Sequence, residues 1–397
     1  MKTSKHIVFW SIAARNVRRF PGRTLAVFVP LFLIMACASV MTFIKDGILR
    51  DALLSADALP DITVQQVLGG RMAPLENDLA LEISGYANVL RVARRVWGYV
   101  PINVPGGTVS YTLMGIDPTE KSSAGDISLA LVSGRFIKPG ERGCAVVGAI
   151  FARQNRARPG DAITLKDEMG NESRFDIVGV FSSRVTIYSA DLIVTDIESA
   201  RAFFGYSSAQ SSDLGVYLEN PLYTDQVASF INASRKNVRV ITKEAQSNMA
   251  KRAYGCRSGV FQLLWLILLL TVLVLAWAQA SSITLEMRKE IGVLKAIGWQ
   301  TLDIIELKMM EILIVGFGGT LSGILFGILY LCIGAPFVKN YFLGWAVVYP
   351  DFPLPVHIEW SSIFMLLVTG LLPLCVATVF PAWFQGTVEP DSAIRGG

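Results

Sequence analysis

Residues 258–299 read SGVFQLLWLILLLTVLVLAWAQASSITLEMRKEIGVLKAIGW. The first 28 carry no formal charge, and the next ten carry five: Glu286, Arg288, Lys289, Glu290 and Lys295. A helix of about 20 apolar residues crosses a bilayer, so the first part reads as a span and the second as its exit into water. That switch sets the class of the whole chain. Three more charge-free runs are long enough to cross: 24–44, 312–338 and 360–388. Between 24–44 and 258–285 lies 45–257, with 24 basic and 23 acidic side chains, the mixture of an ordinary soluble domain. The expected fold is a membrane protein with four transmembrane α-helices in a 1+3 arrangement. A mixed α/β extracytoplasmic domain is inserted between spans 1 and 2.

Composition narrows the function classes. Of 397 residues, 52% are hydrophobic and 17% charged, and the mean hydropathy is +0.47. That balance excludes a disordered chain and disfavours a purely soluble one. The net charge of +4 is unevenly placed, because Lys2, Lys5, Arg15, Arg18, Arg19 and Arg23 precede the first run with no acid among them. This is the basic flank of a membrane protein, and it gives no sign of a nucleic-acid partner. Both termini and the 286–311 loop together hold eleven Lys and Arg, against Lys339 alone in the loop 339–359. The positive-inside rule therefore makes 1–23 a basic amphipathic cytoplasmic segment, 286–311 a cytoplasmic helix and loop, and 389–397 a cytoplasmic tail. Residues 45–257 and 339–359 fall outside. Lys243, Lys251, Arg252 and Arg257 pull the other way, but long translocated domains largely escape the rule. A basic start and an apolar run also describe a signal peptide, and Ile34-Met35-Ala36-Cys37 resembles a lipoprotein cleavage box. The run continues seven residues past Cys37 and is read as a span.

Within 45–257, strand-like runs at 62–68, 109–116, 144–147, 162–165, 174–181, 191–194, 215–218 and 238–241 are separated by Gly, Pro and Asp. Helical patterns lie at 75–83, 197–204 and 225–231, and 242–257 reads as a helix running straight into the second span. The block at 286–299 has Met287, Ile291, Leu294 and Ile297 at helical spacing and a Glu286/Lys289 pair one turn apart. Gly298 suits a helix end, and Thr301 with Asp303 suits a new start. On its residues alone this is a short amphipathic helix at the membrane surface, equally readable as an ordinary connector.

The run Glu-Met-Arg-Lys-Glu-Ile-Gly-Val-Leu-Lys-Ala-Ile-Gly-Trp at 286–299 resembles the signature loop of FtsX-like, MacB-type ABC transporter permeases. Leu131-Val132-Ser133-Gly134-Arg135-Phe136, followed by Cys144-Ala145-Val146-Val147-Gly148 and Arg158-Pro159-Gly160-Asp161-Ala162-Ile163, is similar to the extracytoplasmic domain of that family. The tail Val388-Glu389-Pro390-Asp391-Ser392-Ala393-Ile394-Arg395 and the flank Arg15-Asn16-Val17-Arg18-Arg19 fit it too. The resemblance implies a permease subunit in a bacterial inner membrane. Its 286–299 coupling helix would meet a separate cytoplasmic ATPase through Glu286, Arg288, Glu290, Gly292, Lys295 and Gly298. ATP and Mg would sit on that partner, because the chain has no Gly-x-x-x-x-Gly-Lys-Ser/Thr cradle. The chain itself is then not an enzyme and needs no cofactor. The resemblance further implies a second permease copy or a related permease, contact with membrane lipids, and a periplasmic adaptor or substrate-delivery protein. The work expected is mechanotransmission, exporting or extracting a lipoprotein, lipid, peptide or amphiphilic small molecule. The alternative is an FtsX-like regulator that passes the motion to a cell-wall hydrolase.

Other candidates are weaker in pattern. Gly319, Gly323 and Gly327 recur at four-residue spacing in the third run, permitting close helix packing within the subunit or a dimer seam. Pro30, Pro373 and Pro381 mark kink positions in the spans. Arg91, Arg94 and Arg95 beside Trp97 are either a solvated face or contacts for an anionic or amphiphilic ligand. Cys144 and Cys256 fall in the outer domain, where a disulfide would persist in an oxidising compartment. No metal or catalytic motif occurs, and the only histidines are His6 and His357.

Overall fold

The computed structural model of the chain describes residues 2–104, 107–117, 129–167, 170–255, 259–281, 285–338 and 354–387. Its contacts divide into a helical unit, Met1–Gly47 with Cys256–Ala335 and Val356–Gly397, and a sheet-bearing unit, Ile48–Gly255 with Pro336–Pro355. Helix α1 (Lys2–Arg19) stops at Phe20. Pro21 opens α2 (Pro21–Asp57), a first-turn position where its missing N–H is no loss. The 37 residues of α2 rise through roughly 55 Å. The helix continues past Cys37, Pro30 and the charge-free boundary at Ile44, and its last ten residues belong to the sheet-bearing unit.

The sheet-bearing unit then runs β1 (Ile62–Leu68), β2 (Arg71–Ala73), β3 (Leu75–Glu76), α3 (Asp78–Ser84), β4 (Val89–Val104), β5 (Gly107–Ile116) and β6 (Leu129–Gly134). It continues with β7 (Cys144–Gly148), α4 (Ala149–Asn155), β8 (Ala162–Lys166), β9 (Glu172–Ser183), α5 (Thr186–Asp191), β10 (Leu192–Asp196) and α6 (Ile197–Phe204). Last come β11 (Gln210–Ser211), β12 (Asp213–Leu218), α7 (Thr224–Ser234), β13 (Val238–Thr242) and α8 (Lys243–Tyr254). The main sheet has the order β13-β1-β12-β4-β5-β10-β7-β9-β6, with β2 on β1 and β8 on β9. Every expected strand and helix forms, but the helix expected at 75–83 starts at Asp78, after β3 takes Leu75 and Glu76.

The spine is a strand the sequence did not announce. β4 pairs antiparallel with β12 along 89–95 and with β5 along 96–104, so it joins two half-domains. Under the first half, Ile62, Val64, Ile83, Leu214, Val216 and Ile231 form one core with α3 and α7. Under the second, Leu113, Val147, Phe151, Ile177, Ile193 and Phe203 form another with α4 and α6. α6 starts where the Asp196 carboxylate accepts from the Ser199 N–H at 2.8 Å, a standard N-cap. It then lies hard against the sheet, because a Cβ on Gly98 would reach 2.7 Å from the Phe204 ring.

The chain returns to the helical unit in α9 (Gly259–Ser281), α10 (Leu285–Ala296), α11 (Thr301–Cys332) and α12 (Trp360–Thr387). Among the described residues four helices are long and apolar enough to cross a membrane: α2, α9, α11 and α12. Two expectations need correction. The continuous helix at 242–257 is broken, since α8 ends at Gly255, whose backbone is extended (φ −76°, ψ 175°). A Cβ there would strike the Lys251 carbonyl, so only glycine permits that exit. The third span is the end of a longer helix, which starts at Thr301 and takes in Asp303, Glu306, Lys308 and Glu311. Gly319, Gly323 and Gly327 pack against the first span of the same chain: Leu31, Phe32, Met35 and Ser39 lie against them. The prolines of α12 lie within a helix that continues through both.

Candidate functional site

The surface segment is built as its sequence suggests. α10 ends at Ala296, and Gly298 turns the chain at φ +101°, a left-handed value that favours glycine. Gln300 and Asp303 then form a reciprocal capping box that starts α11. Ile291 and Gly292 are buried while Val293, Ala296 and Ile297 are exposed. One side of the helix is therefore held in the bundle and the other is open. Lys295 is half-buried and Gly298 exposed. The side chains of Glu286, Arg288 and Glu290 lie outside the described residues.

What holds this segment was not foreseen. α1 packs on α11, and Phe9, Ala13, Leu307 and Met310 form a core that also takes in Leu294 and Trp299. The Phe9 and Trp299 rings stack at 4.8 Å. Polar groups fasten the same contact. The Lys308 ammonium and the Glu311 carboxylate, both buried, lie 2.8 Å apart. The Asn16 amide donates to Glu311 at 2.8 Å, Arg23 approaches it at 3.7 Å, and His6 meets Glu306. A buried ion pair adds little net stability but punishes any rearrangement that separates it. Further along α2, Lys45 and Asp46 are buried, and Ser362 at the start of α12 donates to Asp46. Both clusters lie just beyond the charge-free runs, which is why counting apolar residues passes them by.

In the sheet-bearing unit the arginine cluster belongs to β4. Arg95 makes a two-pronged pair with Asp213 on β12, at 2.7 and 2.9 Å, and the Trp97 indole N–H donates to the same carboxylate at 3.0 Å. Arg91 stacks over the Tyr217 ring at 3.4 Å, and Arg94 is exposed. Two of the three arginines are thus committed to partners inside the fold. Alternation along β4 puts Ala93, Arg95, Trp97 and Tyr99 on one face, where they border a cleft of about 530 Å³. Ser55 of α2, Leu59 just past its end, Tyr188 and Asp191 of α5, and Gln246 of α8 also line it. Cys144 on β7 is half-buried with a free thiol, which burial keeps protonated, whereas Cys256 lies outside the described residues.

Asp191 is the one strongly perturbed group in the cleft. Burial pushes its carboxyl up to about 6 from the ordinary 3.8, against the opposing Thr112 hydrogen bond of 3.2 Å. The fold therefore binds this proton more tightly than the unfolded chain does. The resulting penalty is fully present above about pH 6 and vanishes as the pH falls below the unfolded value near 4. Asp191→Asn is expected to stabilise the sheet-bearing unit at pH 7 by up to about 3 kcal/mol and to change little at pH 4. Amide hydrogen exchange at both pH values measures it. An equal gain at both would mean that the charge is not the cause.

Residues 262–390 match the family model for the FtsX-like permease C-terminal region. The chain is 23% identical over 287 residues to an uncharacterised ABC transporter permease of Methanocaldococcus jannaschii, covering 68% of this chain and 67% of that one. It is 22% identical over 305 residues to the lipoprotein-releasing system transmembrane protein LolC of Neisseria meningitidis serogroup B, covering 71% and 72%. Among solved structures, the periplasmic region of MacB from Actinobacillus actinomycetemcomitans superposes with a TM-score of 0.37 at 12% identity, covering 50% of this chain and 95% of that one.

Proposed function

We propose that the chain is an ABC transporter permease of the FtsX/MacB type, a reading supported by its C-terminal family match and by its permease relatives, and that it works as the membrane subunit beside a separate cytoplasmic ATPase. The observation that carries this reading is the mounting of α10: buried at Ile291 and Gly292, exposed on its other side, and braced through Leu294 and Trp299 against α1 and α11. A short helix held firmly on one side and free on the other can accept a push and pass it on. The ATPase would meet the open side through Glu286, Arg288, Glu290 and Lys295, with Gly292 and Gly298 setting the seat and the turn.

Motion would leave the coupling segment by two routes. One runs through α11 into α2, whose single helix supplies residues to both units. The other would run through α9 and the segment that joins it to α8. The sheet-bearing unit would lie on the periplasmic side of a bacterial inner membrane and act on a lipoprotein, lipid, peptide or amphiphile there. Two permease chains, alike or related, would share the ATPase dimer. Native purification of the tagged chain in mild detergent tests the partnership. A co-purifying ATPase is expected, and the double reversal Arg288→Glu, Lys289→Glu should remove it. A periplasmic carrier in the same eluate would favour transport, and a wall hydrolase would favour regulation. The absence of any ATPase would sink the reading.

A further inference from the structure

The cleft on the sheet holds a carboxylate whose charge the fold leaves unanswered. Asp191 accepts from Thr112 at 3.2 Å. Among the described residues no Lys, Arg or His forms an ion pair with it, and none contributes to its electrostatics. The other acid of the cleft, Asp213, is satisfied by Arg95 and Trp97. A carboxylate withdrawn from water without a cation is costly. Asn would keep the Thr112 hydrogen bond without that cost, so the local packing does not require the acid.

The surroundings decide what would answer it. Tyr188, held by Ser55 at 2.8 Å, stands beside Asp191. Trp97 and Tyr99, edge to face at 5.9 Å, and Met114 supply the apolar wall. Aromatic faces next to a desolvated carboxylate attract an ammonium group and its hydrocarbon body, and about 530 Å³ has the size of a small-molecule site. We infer that this cleft binds a compact organic cation, a primary or secondary ammonium on an apolar body. Its N–H groups would lie on the Asp191 carboxylate and its body among Trp97, Tyr99 and Met114. The rival is an anion on Arg94, the one cleft arginine that is exposed. Water already solvates and screens that charge, so its attraction is weak beside that of a half-buried carboxylate with no cation among the described residues. The occupant would touch Ser55 of α2, Leu59 just past its end, and Gln246 of α8, which also line the cleft. This inference goes beyond the permease reading and stands on ligand binding alone.

The test uses the full-length chain in lipid nanodiscs, with empty nanodiscs subtracted, and three probes of one shape. These are 1-naphthylmethylamine, 1-naphthylmethanol and 1-naphthoate, titrated by calorimetry. The ammonium is expected to bind at least about tenfold tighter than the alcohol, the gain of one charge-assisted hydrogen bond, and the carboxylate not at all. Asp191→Asn should reduce the ammonium to the affinity of the alcohol while the unfolding midpoint is kept or raised. Met114→Trp, which fills the cleft, should abolish both. Equal binding of amine and alcohol, preference for the carboxylate, no binding of any probe, or an unchanged affinity in Asp191→Asn would each overturn the inference.

Discussion

Replacing Asp213 by alanine is expected to destabilise the sheet-bearing unit by about 3–5 kcal/mol, the usual cost of stranding a buried charge. The Asp213 carboxylate is 1% exposed and accepts from Arg95 twice and from the Trp97 indole once. The truncation leaves a largely buried guanidinium and an indole N–H without acceptors. The damage also falls at the joint of the fold, where β4 leaves β12 and takes β5 as partner. Both half-domain cores depend on that strand. Amide hydrogen exchange of the sheet-bearing unit in the full-length protein, followed through a urea titration, measures the loss. The double replacement Arg95→Met, Asp213→Leu should recover most of it, because an apolar pair has no desolvation cost to repay. A single mutant within about 1 kcal/mol of the parent would show that the pair is well solvated.

The second large effect is steric and lies in the helical unit. A Cβ on Gly323 would come within 2.7 Å of the Phe32 carbonyl, 2.9 Å of the Met35 Cβ and 3.0 Å of the Ala36 amide. Two of these are backbone atoms of α2, which cannot turn aside as a side chain can. Gly323→Leu must therefore push α11 off α2, at a cost of about 3 kcal/mol or more. The edge-to-face contact of Phe32 with Phe326 at 5.4 Å is lost in the same movement. Gly318→Ala is the matched control, since its added methyl meets only the Phe28 ring at 3.6 Å, an ordinary contact. Detergent titration of the bundle should show early unfolding for the first variant and none for the second. Equal behaviour would mean that the two helices are not in contact at these positions.

The sequence was most readable where one physical rule acts alone. Charge-free length located the four apolar helices, and alternation between Gly, Pro and Asp breaks located eight strands. Gly298 with Asp303 marked the turn into α11, because left-handed backbone and a capping carboxylate are local requirements. It was least readable where two rules conflict. β4 was missed because Arg91, Arg94, Arg95, Gly98 and Pro101 interrupt its hydrophobic pattern. Yet the arginine at 95 is neutralised by Asp213, 118 positions away, and Gly98 exists to admit Phe204. Neither partner is visible from inside the strand. The buried Lys308–Glu311 and Lys45–Asp46 pairs ended the apolar count early, although the helix does not end where charge begins. The seat of α10 on α1 joins Phe9 to Trp299, 290 residues apart in a chain with no shorter-range signal for it. The signal that was present is the aromatic pair Phe9-Trp10 on an otherwise basic amphipathic helix.

The measurement that bears most directly on the account is ATP hydrolysis by the purified complex in nanodiscs, compared between the parent chain and Gly292→Trp. Gly292 is buried on the held side of α10, so an indole there must wedge the helix away from its seat. The quantity of bound ATPase is determined in the same samples. A fall of at least about tenfold in turnover per bound ATPase, a barrier change near 1.4 kcal/mol, or loss of the ATPase altogether, is the predicted result. Full turnover with the ATPase still bound would contradict the account, leaving α10 as a connector and not the part that receives the force.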